Sequence, residues 1–196
     1  MACGRSGVRT PLGPLMIIIG ITGTNGAGKG TVVDYLVQKK AFVHFSARAY
    51  ITKLLEKEGK EANRENLIER GNELREKYGP SAIAILLYDE AVKTGQNCII
   101  ESIRTLGEIE LLRSKGNFIL LAVDADPKIR YERVVLRALA TDKVSFEKFV
   151  ELEKIEMENT DPNKQNISVC VKNADFVIQN NGDLEELYRQ IEEIQF

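Results

Sequence analysis

Between Met16 and Thr31 the chain reads MIIIGITGTNGAGKGT, an apolar strand that runs into a glycine-rich turn and then opens a helix. This run constrains the fold more than any other part of the sequence. Glycines let the backbone N–H groups of a tight turn converge on one point, where side chains would block the approach of a ligand. The following helix contributes the partial positive charge of its N-terminus. Lys29 adds a point charge with the reach to meet outer phosphate oxygens. Strand, spacing, lysine and helix together form a phosphate-binding loop in the context that such a loop requires. Its candidate phosphate-contacting residues are Gly23, Asn25, Gly26, Ala27, Gly28, Lys29, Gly30 and Thr31.

Downstream, strand-like and helix-like segments alternate, which predicts a parallel sheet joined by crossover helices. Strands are predicted at 17–21, 42–45, 98–101, 118–123 and 176–179. The first, third and fourth are nearly continuous apolar runs, as strands covered on both faces should be. Helices are predicted at 31–39, 49–57, 64–78, 81–94, 106–115, 128–139, 146–159 and 184–194, with breaks at Gly59, Gly79-Pro80, Gly95, Gly116 and Asn181-Gly182. Two stretches interrupt the alternation. One is a helical block at about 48–94; the other, about 138–167, is charge-rich and has no strand character. In a phosphotransferase these are natural places for an acceptor-binding lobe and a closing lid.

The chain has 196 residues, enough for one domain with a full core, and a formal net charge of −2. That charge gives no global drive toward nucleic acid or an anionic membrane surface. Cys3, Cys98 and Cys170 show no paired spacing, so neither a zinc site nor a disulfide framework is indicated, and a reducing, cytoplasmic location is expected. No apolar run approaches the roughly 20 residues of a membrane helix. Residues 1–15 are small, basic and Gly/Pro-containing, without an apolar signal region, and are read as a disordered arm ahead of a single domain at 16–196. His44 lies in an apolar strand-like run and is read as a core or strand-edge residue.

The GKGT ending, with Gly30 where many phosphate-binding loops have a hydroxyl, resembles the adenylate kinase-type nucleoside monophosphate kinases. From Met16 onward the chain is similar to that family and to the related dephospho-CoA kinases. The resemblance implies a P-loop fold of three layers with strand order 2-3-1-4-5, ATP with Mg²⁺, and a helical lid. Glu101-Ser102-Ile103-Arg104-Thr105 looks like the family's Asp-Gly-Phe-Pro-Arg-Thr segment. It implies that Glu101 and Thr31 lie near the metal, partly through water, and that Arg104 holds the acceptor phosphate. In the row Arg130, Arg133, Arg137 the resemblance places Arg133 on the ATP base and Arg137 on phosphate. Ser46, Arg48 and Arg75 are acceptor-side candidates. Ala174–Gly182 looks like the family's last strand and turn, with Asn181 against the nucleotide.

Three departures qualify this expectation. Glu101 stands where the family has Asp. The run Phe45–Arg48 lacks the Asp that would serve a hydroxyl acceptor as base, which favours a phosphate acceptor. The returning lid helix, FEKFVELEKIEMEN, has lysines and acids in place of arginines. The expected function is therefore transfer of the ATP γ-phosphate to a nucleotide-like small molecule, foremost a (deoxy)nucleoside monophosphate. Dephospho-CoA is the alternative acceptor, and a nucleotide-binding regulatory ATPase is the alternative of another class. A monomer or homodimer is expected, without nucleic-acid or membrane partners.

Overall fold

The computed structural model describes residues 16–137 and 145–196. The expected N-terminal arm (1–15) and the first part of the expected lid (138–144) lie outside them. Strand β1 (Ile18–Gly23) is buried at every position, which places it at the centre of the sheet. It pairs in parallel with β3 (Cys98–Glu101) on one side and β4 (Phe118–Asp124) on the other. Beyond them lie β2 (Val43–Ser46) and β5 (Phe176–Gln179), giving the order β2-β3-β1-β4-β5. The expected order and the all-parallel pairing are both observed. β5 exposes three of its four positions, as an edge strand does, so its burial pattern alone would not have placed it.

Alternation along the strands separates two apolar layers. Ile18, Ile100 and Leu120 face one layer, packed by α2 (Ala47–Lys57), α3 (Arg64–Tyr78), α4 (Ala82–Thr94), α5 (Leu106–Ser114) and Cys170 of α8 (Ile167–Lys172). Ile19, Ile21, Ile99, Leu121 and Val123 face the other, packed by α1 (Lys29–Lys40) and α9 (Leu184–Glu192). Two further helices, α6 (Pro127–Arg137) and α7 (Phe146–Met157), stand beside the loop end of β1. Side-chain caps set several starts: Ser46 for α2, Asn63 for α3, Ser145 for α7 and Asp183 for α9. Thr105 and Glu108 form a capping box at the start of α5.

The sequence pattern predicts no helix at Ile167–Lys172, where the structure forms α8. Its residues ISVCVK are strongly β-branched, yet Asn166 caps the turn by accepting the Val169 N–H at 3.0 Å, and Ile167 and Cys170 are buried. Among the described residues no helix is long and apolar enough to cross a membrane.

Candidate active site

The carboxyl ends of β1 and β3 and the first turn of α1 open into one cavity of about 660 Å³. Open parallel sheets bind their ligands at this end. The loop after β1 is held open by backbone that only glycine adopts without strain. Gly28 has φ 99°, and a Cβ there would run into the Asn180 amide. Gly26 has φ 79° and abuts the Arg130 carbonyl. Gly30, by contrast, meets nothing on its open side and lines the cavity with Thr31.

Two struts outside the loop fix its shape. Asp124, at the end of β4, accepts from the Thr24 hydroxyl at 2.7 Å. Asn180, just past β5 and buried, donates to the Ala27 carbonyl at 2.7 Å. Asn181, expected at the nucleotide, accepts the Asp126 N–H at 2.8 Å instead and does not line the cavity. Asn180 precedes it by one residue in a run that alternates faces, so a shift of one changes which asparagine meets the loop.

Lys29 folds back over the loop and donates to the carbonyls of Gly23 at 3.1 Å and Thr24 at 2.7 Å. Burial, and next the Arg104 guanidinium, pulls its pKa from 10.5 down to about 7, with Glu101 and Glu156 opposing. The amine is desolvated, and its hydrogen bonds among the described residues go to carbonyls and not to a carboxylate.

Glu101 ends β3 and accepts from or shares a proton with His44 Nε2 on β2, 3.1 Å away. Burial alone would raise the Glu101 carboxyl. The His44 hydrogen bond, then the charges of Lys29 and Arg104, outweigh it and hold the group below its ordinary value. His44 is therefore a strand-edge residue that also orients a cavity carboxylate. Immediately after it, Ser102 sits at φ 73°, with its own N–H and that of Ile103 both donated to the Ile21 carbonyl at 3.0 Å. This sharp turn delivers Arg104 to the cavity, and strained non-glycine backbone of this kind gathers at functional sites.

Arg104 donates to the Gly23 carbonyl at 3.4 Å and lies 3.8 Å from a Glu156 oxygen. Its backbone N–H is held at 2.7 Å by Glu108. The same carboxylate takes Nε and a terminal nitrogen of Arg75, at 3.3 and 3.2 Å. Arg75 is only 2% exposed, so it serves first as a buried pin between α3 and α5. Its remaining terminal nitrogen has no hydrogen-bond partner among the described residues, and the residue lines the cavity. Arg48 and Arg64 also line the cavity, beside Ala47, Ile51, Leu67 and Ile68. Ser46 spends its hydroxyl on capping α2 and does not line it.

On the other side, the arginine row of α6 divides. Arg133 donates to the Asn180 carbonyl at 2.9 Å and Arg137 to the Asn25 side chain at 3.4 Å; both line the cavity. Arg130 turns inward, 3% exposed, to the Ala125 carbonyl and to Glu153 of α7. A second acid of α7, Glu156, pairs with Arg64 and lines the cavity. The acids of this helix carry no role in the sequence alone; Glu153 and Glu156, three apart, share a face, and only the fold supplies the arginines opposite.

Residues 19–161 match the family described as AAA domain. The chain belongs to that family. It also belongs with the UPF0200 proteins: it is 32% identical over 183 residues to UPF0200 protein MJ1399 of Methanocaldococcus jannaschii, covering 91% of this chain and 89% of that protein. The fold of this AAA domain is that of P-loop kinases. It superposes on TT1252 of Thermus thermophilus with a TM-score of 0.57 at 25% identity, covering 91% of this chain and 95% of that one. The shikimate kinase of Acinetobacter baumannii, solved with shikimate, gives a TM-score of 0.53 at 16% identity and 91% of each chain.

The AAA domain gathers most of the residues singled out in the sequence around one cavity. Asn25, Gly26, Gly28, Lys29, Gly30, Thr31, Arg48, Arg75, Glu101, Arg104, Arg133 and Arg137 line it; Gly23 and Ala27 support it from beneath. Residues missed in the sequence are Asp124, Asn180, Glu108 and Glu156. Only Glu108 carried a local signal, the Thr105-x-x-Glu108 capping pattern.

Proposed function

We propose that this chain is an ATP-dependent small-molecule kinase that moves the γ-phosphate to a nucleotide-like acceptor, foremost a nucleoside monophosphate. One observation carries the reading. A single cavity joins the phosphate-binding loop to Arg48 and Arg64, with Arg104 between the two, over an apolar shelf of Ala47, Ile51, Leu67 and Ile68. Two anion-recognition centres facing one space suit a donor polyphosphate and an anionic acceptor held in line. The shelf suits the flat face of a base. The kinase fold and the family membership support the reading.

In this mechanism the loop amides and Lys29 hold the outer phosphates, Arg137 flanks them, and Arg133, held at the Asn180 carbonyl, packs on the ATP base. Arg104, between the loop and the acceptor side, gathers charge that develops as the phosphoryl group moves. The hydroxyl of Thr31 and the ionised Glu101 are hard oxygen donors suited to Mg²⁺ and its waters. Bound there, the metal would neutralise phosphate charge. The segment at about 138–167, which includes α7, would act as the lid that excludes water.

A hydroxyl acceptor is the second reading, and Glu101 favours it. An ionised carboxylate held in the cavity by His44 has the state required of a base toward an acceptor hydroxyl. A coupled assay of ADP release with Mg·ATP separates the two. Its acceptors are AMP, CMP, UMP, GMP, their deoxy forms, dTMP and dephospho-CoA. Stimulation by a monophosphate upholds the first reading and stimulation by dephospho-CoA alone the second. A flat panel from protein that binds ATP overturns both.

A further inference from the structure

Glu156 is a carboxylate placed where a phosphotransferase needs room for an acceptor's anion. It lies on α7 and is 6% exposed. Its Oε1 accepts from Arg64 Nε at 2.9 Å and from a terminal nitrogen of the same guanidinium. Its Oε2 lies 3.8 Å from Arg104, an ion-pair distance but beyond a hydrogen bond. The side chains of Arg64 and Arg104 are 16% and 18% exposed, and all three residues line the cavity.

Two features make this more than a structural ion pair. Buried ion pairs contribute little net stability relative to apolar packing, so placing one against an open cavity needs another reason. The pairing is also incomplete. Two guanidinium forks, from α3 and from the turn after β3, face one carboxylate that satisfies only one of them. A phosphate, with more oxygens and more charge, matches two forks better.

We propose that Arg64 and Arg104 form the seat of the acceptor's phosphate and that Glu156 is its internal stand-in, displaced when the acceptor binds. This rests on the phosphotransfer reading. Arg104 is shared between the Gly23 carbonyl at 3.4 Å, beside Lys29, and the Glu156 carboxylate at 3.8 Å, so Glu156 competes for the charge Arg104 must supply at the loop. The acceptor releases it. The device ties γ-phosphate transfer to acceptor occupancy and restrains attack by water. It also accounts for a lid helix bearing acids: the acids answer arginines that the scaffold already provides.

The test is Glu156→Gln against wild type, with inorganic phosphate as the probe in titration calorimetry and acceptor-independent ATP hydrolysis as the second readout. Removing one competing charge-assisted contact should tighten phosphate binding by about tenfold. Hydrolysis should rise by a similar factor. Glu153→Gln is the control, because it loosens α7 at Arg130 without touching the seat. Equal or weaker phosphate binding in folded Glu156→Gln overturns the proposal, as does the same gain in Glu153→Gln. Should Glu156→Gln fail to fold, Glu156→Asp keeps the charge, shortens the reach and must give the same gain in smaller measure. Phosphate tightening with a flat acceptor panel would leave the seat standing and remove the kinase reading; the reverse pattern would do the opposite.

Discussion

Lys29 gives the sharpest quantitative expectation. Its pKa in the ligand-free protein is about 7, lowered by burial first and by Arg104 next. At pH 8 a group of that pKa is only roughly 9% protonated. Polyphosphate oxygens beside it would restore a pKa near or above the ordinary lysine value, so nucleotide binding should take up close to ~0.9 proton per site at pH 8 and about half a proton at pH 7. From pH 7 to 8 binding should weaken by about fivefold, and each further unit should approach tenfold, or ~1.4 kcal/mol. The assay is titration calorimetry of ATP at pH 8 in buffers of different ionisation enthalpy. The terminal phosphate, ionising near pH ~6 as phosphate monoesters do, contributes little there. The slope of apparent heat against buffer enthalpy reads the proton count directly. Lys29→Arg, always charged, should bind with a slope near zero. A wild-type slope near zero at pH 8 would refute the reasoning, because it would mean that Lys29 is already an ammonium before the nucleotide arrives. The same shift has a signed effect on stability. The folded ligand-free protein binds fewer protons at Lys29 than the unfolded chain between pH 7 and 10.5, so its stability should rise with pH across that window.

Other perturbations have defined outcomes. Gly28→Ala forces a Cβ against the Asn180 amide at positive φ, so thermal melting should register a loss of about 1–3 kcal/mol together with weaker nucleotide binding; an unchanged melt would contradict the loop geometry. Arg75→Leu strands the buried Glu108 charge and should cost about 3–5 kcal/mol in denaturant unfolding. Adding Glu108→Leu should recover only part of that, since Glu108 also holds the N–H groups of Arg104 and Thr105. His44→Ala removes the hydrogen bond that lowers Glu101, so the acidic limb of kcat/KM should move to higher pH; a limb that stays put would remove His44 from the site.

Short-range physics made the loop legible in the sequence. Strand, glycines, lysine and helix are consecutive, and each residue's reason for being there is local. The central strands were legible for a similar reason, since a buried strand declares itself by an unbroken apolar run. Long-range pairing was not legible. Arg75 reads as one more charged residue of a polar helix until Glu108 from α5 buries it. Asn180 and Asn181 are indistinguishable by type, and the register of β5 decides which one reaches Ala27. The helix α8 was hidden because β-branched composition points to a strand, whereas its cap and the cover it gives the sheet made it a helix.

The charges of the cavity explain why the two substrates of the proposed reaction would not bind independently. Lys29 feels Arg104 and Arg137 as like charges and Glu101 and Glu156 as opposite ones, so all five belong to one electrostatic network. A phosphate placed on Arg64 and Arg104 frees Glu156 and brings its own negative charge toward Lys29. A polyphosphate in the loop would recharge Lys29 and attract Arg104, which already reaches the Gly23 carbonyl, away from Glu156. Each event changes the field in which the other ligand binds, and linkage requires the effect to be reciprocal. Its sign depends on whether Glu156 leaves the network or only shifts within it. If it leaves, the departing carboxylate offsets the incoming phosphate, and acceptor and nucleotide should bind without mutual repulsion despite their like charge. If it remains, two anions and a carboxylate share the same arginines, and each ligand should weaken the other. Measuring the affinity for ADP with and without saturating inorganic phosphate separates these cases, and in Glu156→Gln the difference between them should vanish.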